Sequence, residues 1–220
     1  MKIYLSPSNQ NGNLYSAGGT NEMVQCNRIA DAAREHLTRN GYDVKKAPQG
    51  QDMYKSIDES NQWGADLHLP IHTNAGGGAG TVVFVYNTAA KNMKYAQAIY
   101  DAVQAVSPGT VDYGIRTKPG LAEINATRAI AVYIECEFHD NATLAQWIID
   151  NTDTIGQAIA RGVCASDGKA YIEPAEPVVP DVFYRVLIQD SSYAVKENAE
   201  KRKAELEKSG NIVKIEEFKR

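Results

Sequence analysis

A short apolar segment that ends in a run of glycines most constrains the fold of this chain. The segment Gly64–Asn74 reads GADLHLPIHTN, and the glycine run Gly76–Gly80 (GGGAG) follows almost directly. The apolar residues from Leu67 to Ile71 predict a buried strand, and the glycines predict a loop after it. His68 and His72 are four residues apart and therefore share one face of this strand. His72 lies at the carboxyl end, where open α/β sheets bind their ligands.

Apolar strands alternate with amphipathic helices over the rest of the first 172 residues. The predicted strands span 2–5, 42–46, 81–86 and 129–136, and the predicted helices span 20–39, 52–63, 89–106 and 142–163. Several of these strands are apolar throughout, which is typical of a parallel sheet covered on both faces. The pattern predicts an α/β fold with three α/β/α layers and an open, mainly parallel sheet. The irregular segment 111–127 is typical of a loop beside a site.

Composition restricts the classes of function. Of the 220 residues, 43% are hydrophobic and 23% are charged, as in an ordinary globular protein. The net charge of −4, without a block of Lys or Arg, argues against nucleic-acid binding. The sequence has no membrane-spanning apolar run, and Met1–Leu5 is too short for the core of a signal sequence. The widely spaced Cys26, Cys136 and Cys164 are expected to be buried thiols.

A proline-rich segment separates a short tail from the first domain, residues 1–172. Residues 173–181 read EPAEPVVPD and predict an extended linker. In the tail, residues 182–220, the predicted elements are a strand at 183–189, a helix at 193–209 and a strand at 212–218. A βαβ unit of this size buries too little apolar surface to be stable alone. We therefore expect it to form a homodimer with a second copy or to dock on the first domain.

Three side chains suited to metal chemistry are predicted to meet at one edge of the sheet. Glu22 lies at the start of the first helix, whereas His72 and Glu135 each lie at the end of a strand. Catalytic zinc sites use about three His, Glu, Asp or Cys ligands and keep a position for water, whose proton a nearby carboxylate takes. Structural interpretations also exist, because the helix dipole favours Glu22 and Arg116 is a candidate ion-pair partner for Glu135.

Other catalytic motifs find little support. The glycine run Gly76–Gly80 lacks the Lys-Ser/Thr of a phosphate loop and leads into a strand instead of a helix. The sequence contains no Gly-x-Ser-x-Gly nucleophile elbow. Cys136 lies beside Glu135 and near His139, but a cysteine inside an apolar strand is expected to pack in the core.

Four blocks of sequence resemble a known family. They are Lys2–Pro7 (KIYLSP), Thr20–Glu22 (TNE), Leu69–Ala75 (LPIHTNA) and Ile134–Asn141 (IECEFHDN). In this order and with these separations, the chain resembles the zinc-dependent N-acetylmuramoyl-L-alanine amidases of phages and bacteria. The resemblance implies an α/β/α fold. It also implies hydrolysis of the amide between the lactyl group of N-acetylmuramic acid and the L-alanine of the peptidoglycan stem peptide.

The resemblance also implies roles for individual residues. Glu22 and His72 match Zn²⁺ ligands, and Glu135 matches the catalytic glutamate, which acts as general base. The family's first ligand is a histidine just after the first strand, where this chain has Asn9. A neutral amide oxygen is a poor zinc ligand beside imidazole, so weak metal binding is expected. The further ligand is predicted to be Asn9, Gln10 or a substitute histidine.

Two histidines are the nearest substitutes in the sequence. His139 is favoured on geometry because it follows the strand that carries Glu135, and the alternative is that it is a structural residue next to the Asp140–Asn141 cap. His68 lies roughly 13 Å before His72 along an ideal strand, which is too far to bind the same ion. The residues expected to bind substrate are Arg116, Lys118 and Asn74. The two cations are expected to pair with carboxylates of the stem peptide, and the glycine run is expected to border the groove.

The tail resembles half of a sporulation-related (SPOR-like) repeat domain, through residues 184–189 (YRVLIQ) and 198–200 (NAE). That family binds peptidoglycan glycan strands with a domain of two βαβ halves. We interpret the chain as a peptidoglycan amidase, a phage endolysin or a bacterial autolysin, with a wall-binding tail. It is expected to be made in the cytoplasm without a signal peptide and to reach the wall by phage lysis or non-classical export. The alternative is a catalytically inactive relative that only binds peptidoglycan.

Overall fold

A seven-stranded sheet forms the centre of the first part of the chain. The structure, a computed structural model, describes residues 1–175 and 196–208, together with residues 210, 213 and 215. The strands are β1 (Lys2–Pro7), β2 (Asp43–Lys46), β3 (Leu67–Asn74), β4 (Val82–Val85), β5 (Ile115–Thr117), β6 (Ile130–Ala131) and β7 (Tyr133–Phe138). Their order is β2-β1-β3-β7-β4-β5, with β6 paired to β3. Only the β4–β7 pair is antiparallel among the described strands, so the predicted mainly parallel sheet is confirmed.

Helices flank this sheet. They are α1 (Glu22–Arg39), α2 (Met53–Trp63), α3 (Ala90–Gln104), α4 (Ala122–Asn125), α5 (Ala142–Asp150) and α6 (Thr152–Ser166). The side chain of Asn21 caps α1 by accepting a hydrogen bond from Val24 N, and Asp52 caps α2 in the same way. Helix α6 packs against both α1 and α3, whereas α2 contacts α4. Within the described residues, no helix is both long and apolar enough to cross a bilayer.

The carboxyl-terminal helix of this unit differs from the prediction. The predicted single helix over residues 142–163 is two helices, because the chain leaves the helical conformation at Asn151 (φ −122°, ψ 24°). The Asn151 side chain donates to the carbonyl oxygen of Trp147 at 2.8 Å and so satisfies a backbone acceptor near the end of α5. A polar side chain that competes with helical hydrogen bonds therefore divides the segment.

Two further segments correct the sequence analysis. The predicted strand 129–136 is interrupted at Val132, whose backbone N–H still donates to the carbonyl of His68, so β6 and β7 follow one another along β3. The predicted loop 111–127 contains strand β5 and the one-turn helix α4. Short elements of three or four residues carry too little periodicity to be recognised from sequence.

The two faces of β1 show how the sheet divides the molecule. Ile3 and Leu5 are buried in the main core with residues of α1 such as Ile29. Tyr4 and Ser6 point to the other face, as expected from the alternation of side chains along a strand. There Tyr4 donates to Glu59 of α2 at 2.8 Å. One face of the sheet is therefore an apolar core, and the other carries buried polar contacts.

Close helix packing supports the apolar face. Gly156 and Gly162 lie on α6, and a Cβ atom at these positions would be 2.6 Å from Ala33 N and Ile99 Cα, respectively. The two glycines therefore allow α6 to approach α1 and α3 at distances that a side chain would prevent.

The chain divides into two compact units, Met1–Pro174 and Ala175–Arg220. The described element of the second unit is α7 (Lys196–Lys208), a charged helix with ion pairs such as Lys201–Glu197 and with no buried residue. It lies within the helix predicted at 193–209. The strands predicted at 183–189 and 212–218 lie outside the described residues, apart from 213 and 215. The linker and the βαβ organisation of the tail stay predictions.

Candidate functional site

The carboxyl edge of the sheet brings together residues that are far apart in sequence. His72 on β3 and Glu135 on β7 are register partners on neighbouring parallel strands. Such partners lie side by side on the same face, with backbones roughly 5 Å apart. Glu22 is the first residue of α1, whose start is fixed by the Asn21 cap. The three residues predicted from the sequence therefore gather at one site.

Glu22 and His72 form a direct buried contact. Glu22 Oε1 lies 2.8 Å from His72 Nδ1, and the other oxygen of Glu22 accepts a hydrogen bond from Asn13 Nδ2 at 2.7 Å. The residues are only 1% and 7% exposed, respectively. Burial alone would favour the neutral acid, but the hydrogen bonds from His72 and Asn13 lower the pKa of Glu22.

A second carboxylate faces the other nitrogen of His72. Glu123 Oε2 lies 3.7 Å from His72 Nε2, and the ring of Tyr133 stacks on the imidazole with centroids 4.5 Å apart. Burial lowers the pKa of His72, yet the contacts with Glu123 and Glu22 dominate and raise it to about 9. The imidazole is thus hydrogen-bonded at Nδ1, has a carboxylate near Nε2 and is stacked on one ring face.

Glu135 has a different environment from Glu22. Its Oε2 atom is buried and has no hydrogen-bond partner among the described residues. Burial raises the pKa of Glu135 to about 7, with Glu22 adding to the increase and the charges of His72 and Lys118 opposing it. A carboxylate whose pKa lies near neutrality is suited to accept and return a proton.

Glu123 is the site residue that sequence reasoning missed. It lies on α4, in a segment predicted to be irregular, and it is 4% exposed. Burial opposes its ionisation, but the neighbouring imidazoles of His68 and His72 lower the pKa of Glu123 to about 2. The signal in the sequence is slight, a single acidic residue among the apolar neighbours Leu121, Ala122 and Ile124.

The candidates for a further metal ligand lie in other contacts. Asn9 Nδ2 donates to the carbonyl oxygen of Gln51 at 3.0 Å. Gln10 Oε1 accepts from Asn13, the same side chain that binds Glu22, and so lies one hydrogen bond away from the site. Within the described residues, no hydrogen bond or ion pair joins Asn9 to Glu22 or His72. The ligand role of Asn9 stays a prediction.

The two substitute histidines are held elsewhere. His139 Nδ1 lies 2.9 Å from Thr73 Oγ1, and its ring stacks on Tyr15 at 4.9 Å. Because Thr73 follows His72 on β3, it points to the opposite face of the sheet. His68 lies on the face of His72, with Nδ1 3.0 Å from Ser60 Oγ.

The predicted substrate residues have separate environments. Lys118 Nζ lies 4.6 Å from the centre of the Phe84 ring and acts electrostatically on Glu135. Arg116 instead donates through Nε to the carbonyl of Tyr113 and packs on that ring. Asn74 Oδ1 accepts from the following backbone N–H. The charge of Lys118 lowers the pKa of Glu135, and substrate binding by these three residues stays a prediction.

Two carboxylates anchor the glycine run. Asp140 Oδ2 accepts from the backbone N–H groups of Gly76 and Gly77 at 2.7 and 2.8 Å. Glu137, which is fully buried, accepts from Gly80 N at 2.7 Å and from Gly109 N at 3.2 Å. The loop that follows β3 is thus tied at both ends to the segment around the end of β7.

The donor set suits a metal ion in part. In the described part of the chain, no group of three or more His, Cys, Asp or Glu side chains is arranged to hold a metal. Glu22 Oε1 and His72 Nδ1 are nevertheless neighbouring donors at 2.8 Å. Two donors on one tetrahedral zinc ion lie roughly 3.3 Å apart. A small increase in the distance between Glu22 Oε1 and His72 Nδ1 would therefore accommodate the ion. The unpartnered oxygen of Glu135 leaves a basic group beside them.

Glu135 and the Glu22–His72 pair lie at the carboxyl edge of a mainly parallel sheet. This arrangement is typical of an α/β enzyme that uses acid–base chemistry. Comparison with known proteins identifies the family. The model of the N-acetylmuramoyl-L-alanine amidase family matches residues 8–165, and the chain belongs to this family. Family membership confirms the predicted class of function, hydrolysis of peptidoglycan by an amidase.

Individual relatives agree with this assignment. The chain is 27% identical over 218 residues to the sporulation-specific N-acetylmuramoyl-L-alanine amidase of Bacillus subtilis (strain 168), covering 96% of this chain and 82% of the relative. It is 26% identical over 219 residues to the amidase CwlM of Bacillus licheniformis, with the same coverage. Among solved structures, an amidase from Clostridium difficile 630 aligns with a TM-score of 0.68 at 20% identity, covering 76% of this chain and 96% of that chain. This last similarity supports the fold.

Proposed function

We propose that this chain cleaves the amide between the lactyl group of N-acetylmuramic acid and L-alanine, with Zn²⁺ held by Glu22 and His72 and with Glu135 as the general base. One observation carries the proposal. The buried Glu22–His72 pair lies beside a carboxylate that has a free oxygen and a pKa of about 7. The family match adds the bond that is cleaved.

Zn²⁺, when bound, would polarise the scissile carbonyl and lower the pKa of a water molecule to roughly 7. Glu22 and His72 would supply two of its ligands, and His72, whose pKa is raised to about 9 by the neighbouring carboxylates, would give up its proton on binding the ion. Burial opposes ionisation of Glu22, but the contact with His72 lowers its pKa and so favours the carboxylate form. Asn9 and Gln10 stay the predicted sources of a further ligand.

Glu135 would move the proton. Its free Oε2 accepts a proton from water as the water oxygen bonds to the amide carbon. The C–N bond then breaks, and Glu135 returns the proton to the departing nitrogen of L-alanine. The products are the lactyl carboxylic acid and a free amino terminus on the stem peptide, and the carboxylate is regenerated.

The direct test is the release of L-alanine amino termini from purified peptidoglycan, with and without a zinc chelator. We expect release by the wild-type chain that stops with chelator and returns when zinc is added. Glu135→Gln keeps the shape of the side chain and is expected to lower the rate about 10²–10⁴-fold. Glu173→Gln removes an exposed carboxylate that pairs with Arg161 and serves as the matched control.

A second function has one observation in its favour. Asn9 stands where the family has its first histidine, and within the described residues no third His, Cys, Asp or Glu side chain joins Glu22 and His72 in a metal-binding group. An inactive relative that binds peptidoglycan would sediment with purified cell walls and release no amine. That result would replace the amidase proposal with the binding function.

The tail and the biological setting stay predictions. Glycan binding by residues 182–220 and pairing of two chains through them are expected from the SPOR-like resemblance. Light scattering on the full chain is expected to give the mass of a dimer, and the mass of a monomer would contradict pairing. The endolysin or autolysin role and the route to the wall likewise stay predictions.

A further inference from the structure

A chain of buried polar contacts continues from His72 away from the Glu22 side. Glu123 bridges the two histidines of β3, because one oxygen lies 3.7 Å from His72 Nε2 and the other lies 3.4 Å from His68 Nε2. Ser6 Oγ donates to the same carboxylate. These contacts connect His72, which has a role in the proposed hydrolysis, with Glu123, His68 and Ser6, which have none.

Four elements hold Glu123 in place. Helix α4 is anchored by Ile124, which packs in a small core with Ala131 and Tyr133. Ser6 belongs to β1 and His68 to β3, and Ser60 of α2 holds the far nitrogen of His68 at 3.0 Å. Because the carboxylate is surrounded on several sides, it has little freedom to move independently of His72.

A buried carboxylate is costly unless it is paired, so its location requires a reason. The reason follows from the ring of His72. A histidine that binds a metal through one nitrogen almost always donates its other N–H to a carboxylate, carbonyl or water, which fixes the tautomer and the ring orientation. In His72 the nitrogen that faces Glu22 is Nδ1, and the nitrogen that faces Glu123 is Nε2.

We propose that Glu123 is a positioning residue, which holds His72 through Nε2 so that Nδ1 is presented to Glu22 and to the metal ion. Glu123 is not a ligand of that ion, because the lone pairs of the two ring nitrogens diverge and cannot meet at one point. The stacked ring of Tyr133 restrains the remaining rotation of the imidazole. His68, Ser6 and Ser60 hold the carboxylate itself.

The inference rests on the proposed metal-dependent function and is tested by zinc affinity, without a need for activity. The zinc dissociation constant of the full chain is measured by competition with a chromophoric chelator. We expect Glu123→Ala to weaken zinc binding about 10–100-fold, with one ion still bound per chain. Glu123→Gln retains an acceptor oxygen and volume, and we expect a smaller loss that is still measurable.

The matched control is Glu59→Gln. Glu59 accepts hydrogen bonds from Tyr4 and Gln51 on the same side of the sheet, and within the described residues no hydrogen bond or ion pair joins it to His68 or His72. This variant is expected to bind zinc as the wild type does. Circular dichroism on each variant identifies those that fail to fold. If Glu123→Ala does not fold, Glu123→Gln still tests the proposal.

The outcomes separate the two proposals. Unchanged zinc affinity in folded Glu123→Ala and Glu123→Gln would overturn the positioning role and leave the amidase function standing. Complete loss of zinc, equal to that of Glu22→Ala, would make Glu123 a ligand and would also overturn it. A wild-type chain that binds no zinc would overturn the zinc assignment first, and the role of Glu123 with it.

Discussion

Two buried histidines near the carboxyl edge of the sheet, His72 and His139, have very different partners. His72 lies between the carboxylates of Glu22 and Glu123, whereas His139 contacts the hydroxyl of Thr73 and stacks on Tyr15. Both rings are almost completely buried, so burial does not distinguish a functional histidine from a structural one. The partners do, because carboxylates create a site for a cation and a hydroxyl does not.

The largest expected effect is the difference in zinc binding between variants of these two histidines. His72→Asn should abolish zinc binding and amine release, because it removes one of the two neighbouring donors. His139→Asn should leave the zinc dissociation constant unchanged and lower the free energy of unfolding by about 1–3 kcal/mol, since it removes a buried hydrogen bond. Chelator competition and urea unfolding measure the two quantities. Loss of zinc in folded His139→Asn would show that the structural histidine serves the metal.

Smaller losses of folding stability are expected when either of the two carboxylates that anchor the glycine run is replaced by its amide. Glu137→Gln should lower the free energy of unfolding by about 1–3 kcal/mol, because Glu137 is fully buried and accepts several backbone N–H groups. Asp140→Asn should cost less, since its acceptor oxygen lies in an exposed contact with Gly76 and Gly77. Urea unfolding of both variants compares them. An equal or larger loss in Asp140→Asn would contradict the importance of burial here.

The smallest expected effect compares the two cations near the site. The charge of Lys118 lowers the pKa of Glu135, so Lys118→Ala should raise that pKa. The base is then ionised only at higher pH, and the acidic limb of the rate profile should move upward by less than about 1 pH unit. Arg116→Ala should leave the limb in place, because Arg116 is bound at Tyr113. A shift in Arg116→Ala without one in Lys118→Ala would contradict this assignment of charges.

The sequence predicted the parts of the site that follow from strand alternation and topology. His72 and Glu135 end two apolar strands, and such strands meet at one edge of a parallel sheet. Glu22 follows a recognisable cap, Asn21, and therefore lies at a helix start. These signals are local, and the fold needs only to bring the ends together.

The missed features depend on contacts between distant residues. Glu123 lies on a single turn of helix that has no periodicity of its own, and its partners come from β1 and β3. The break at Asn151 depends on one side chain that binds a backbone carbonyl. The hydrogen bond from Asn9 Nδ2 to the Gln51 carbonyl is likewise a contact between distant residues, which the sequence does not determine.

The central claim is that Glu22 and His72 hold a metal ion beside Glu135. Anomalous diffraction at the zinc edge, from crystals of the chain grown with zinc, tests it most directly. We predict a peak about 2.0–2.2 Å from both Glu22 Oε1 and His72 Nδ1. A well-ordered site without that peak, or with zinc bound at His139 instead, would contradict the account.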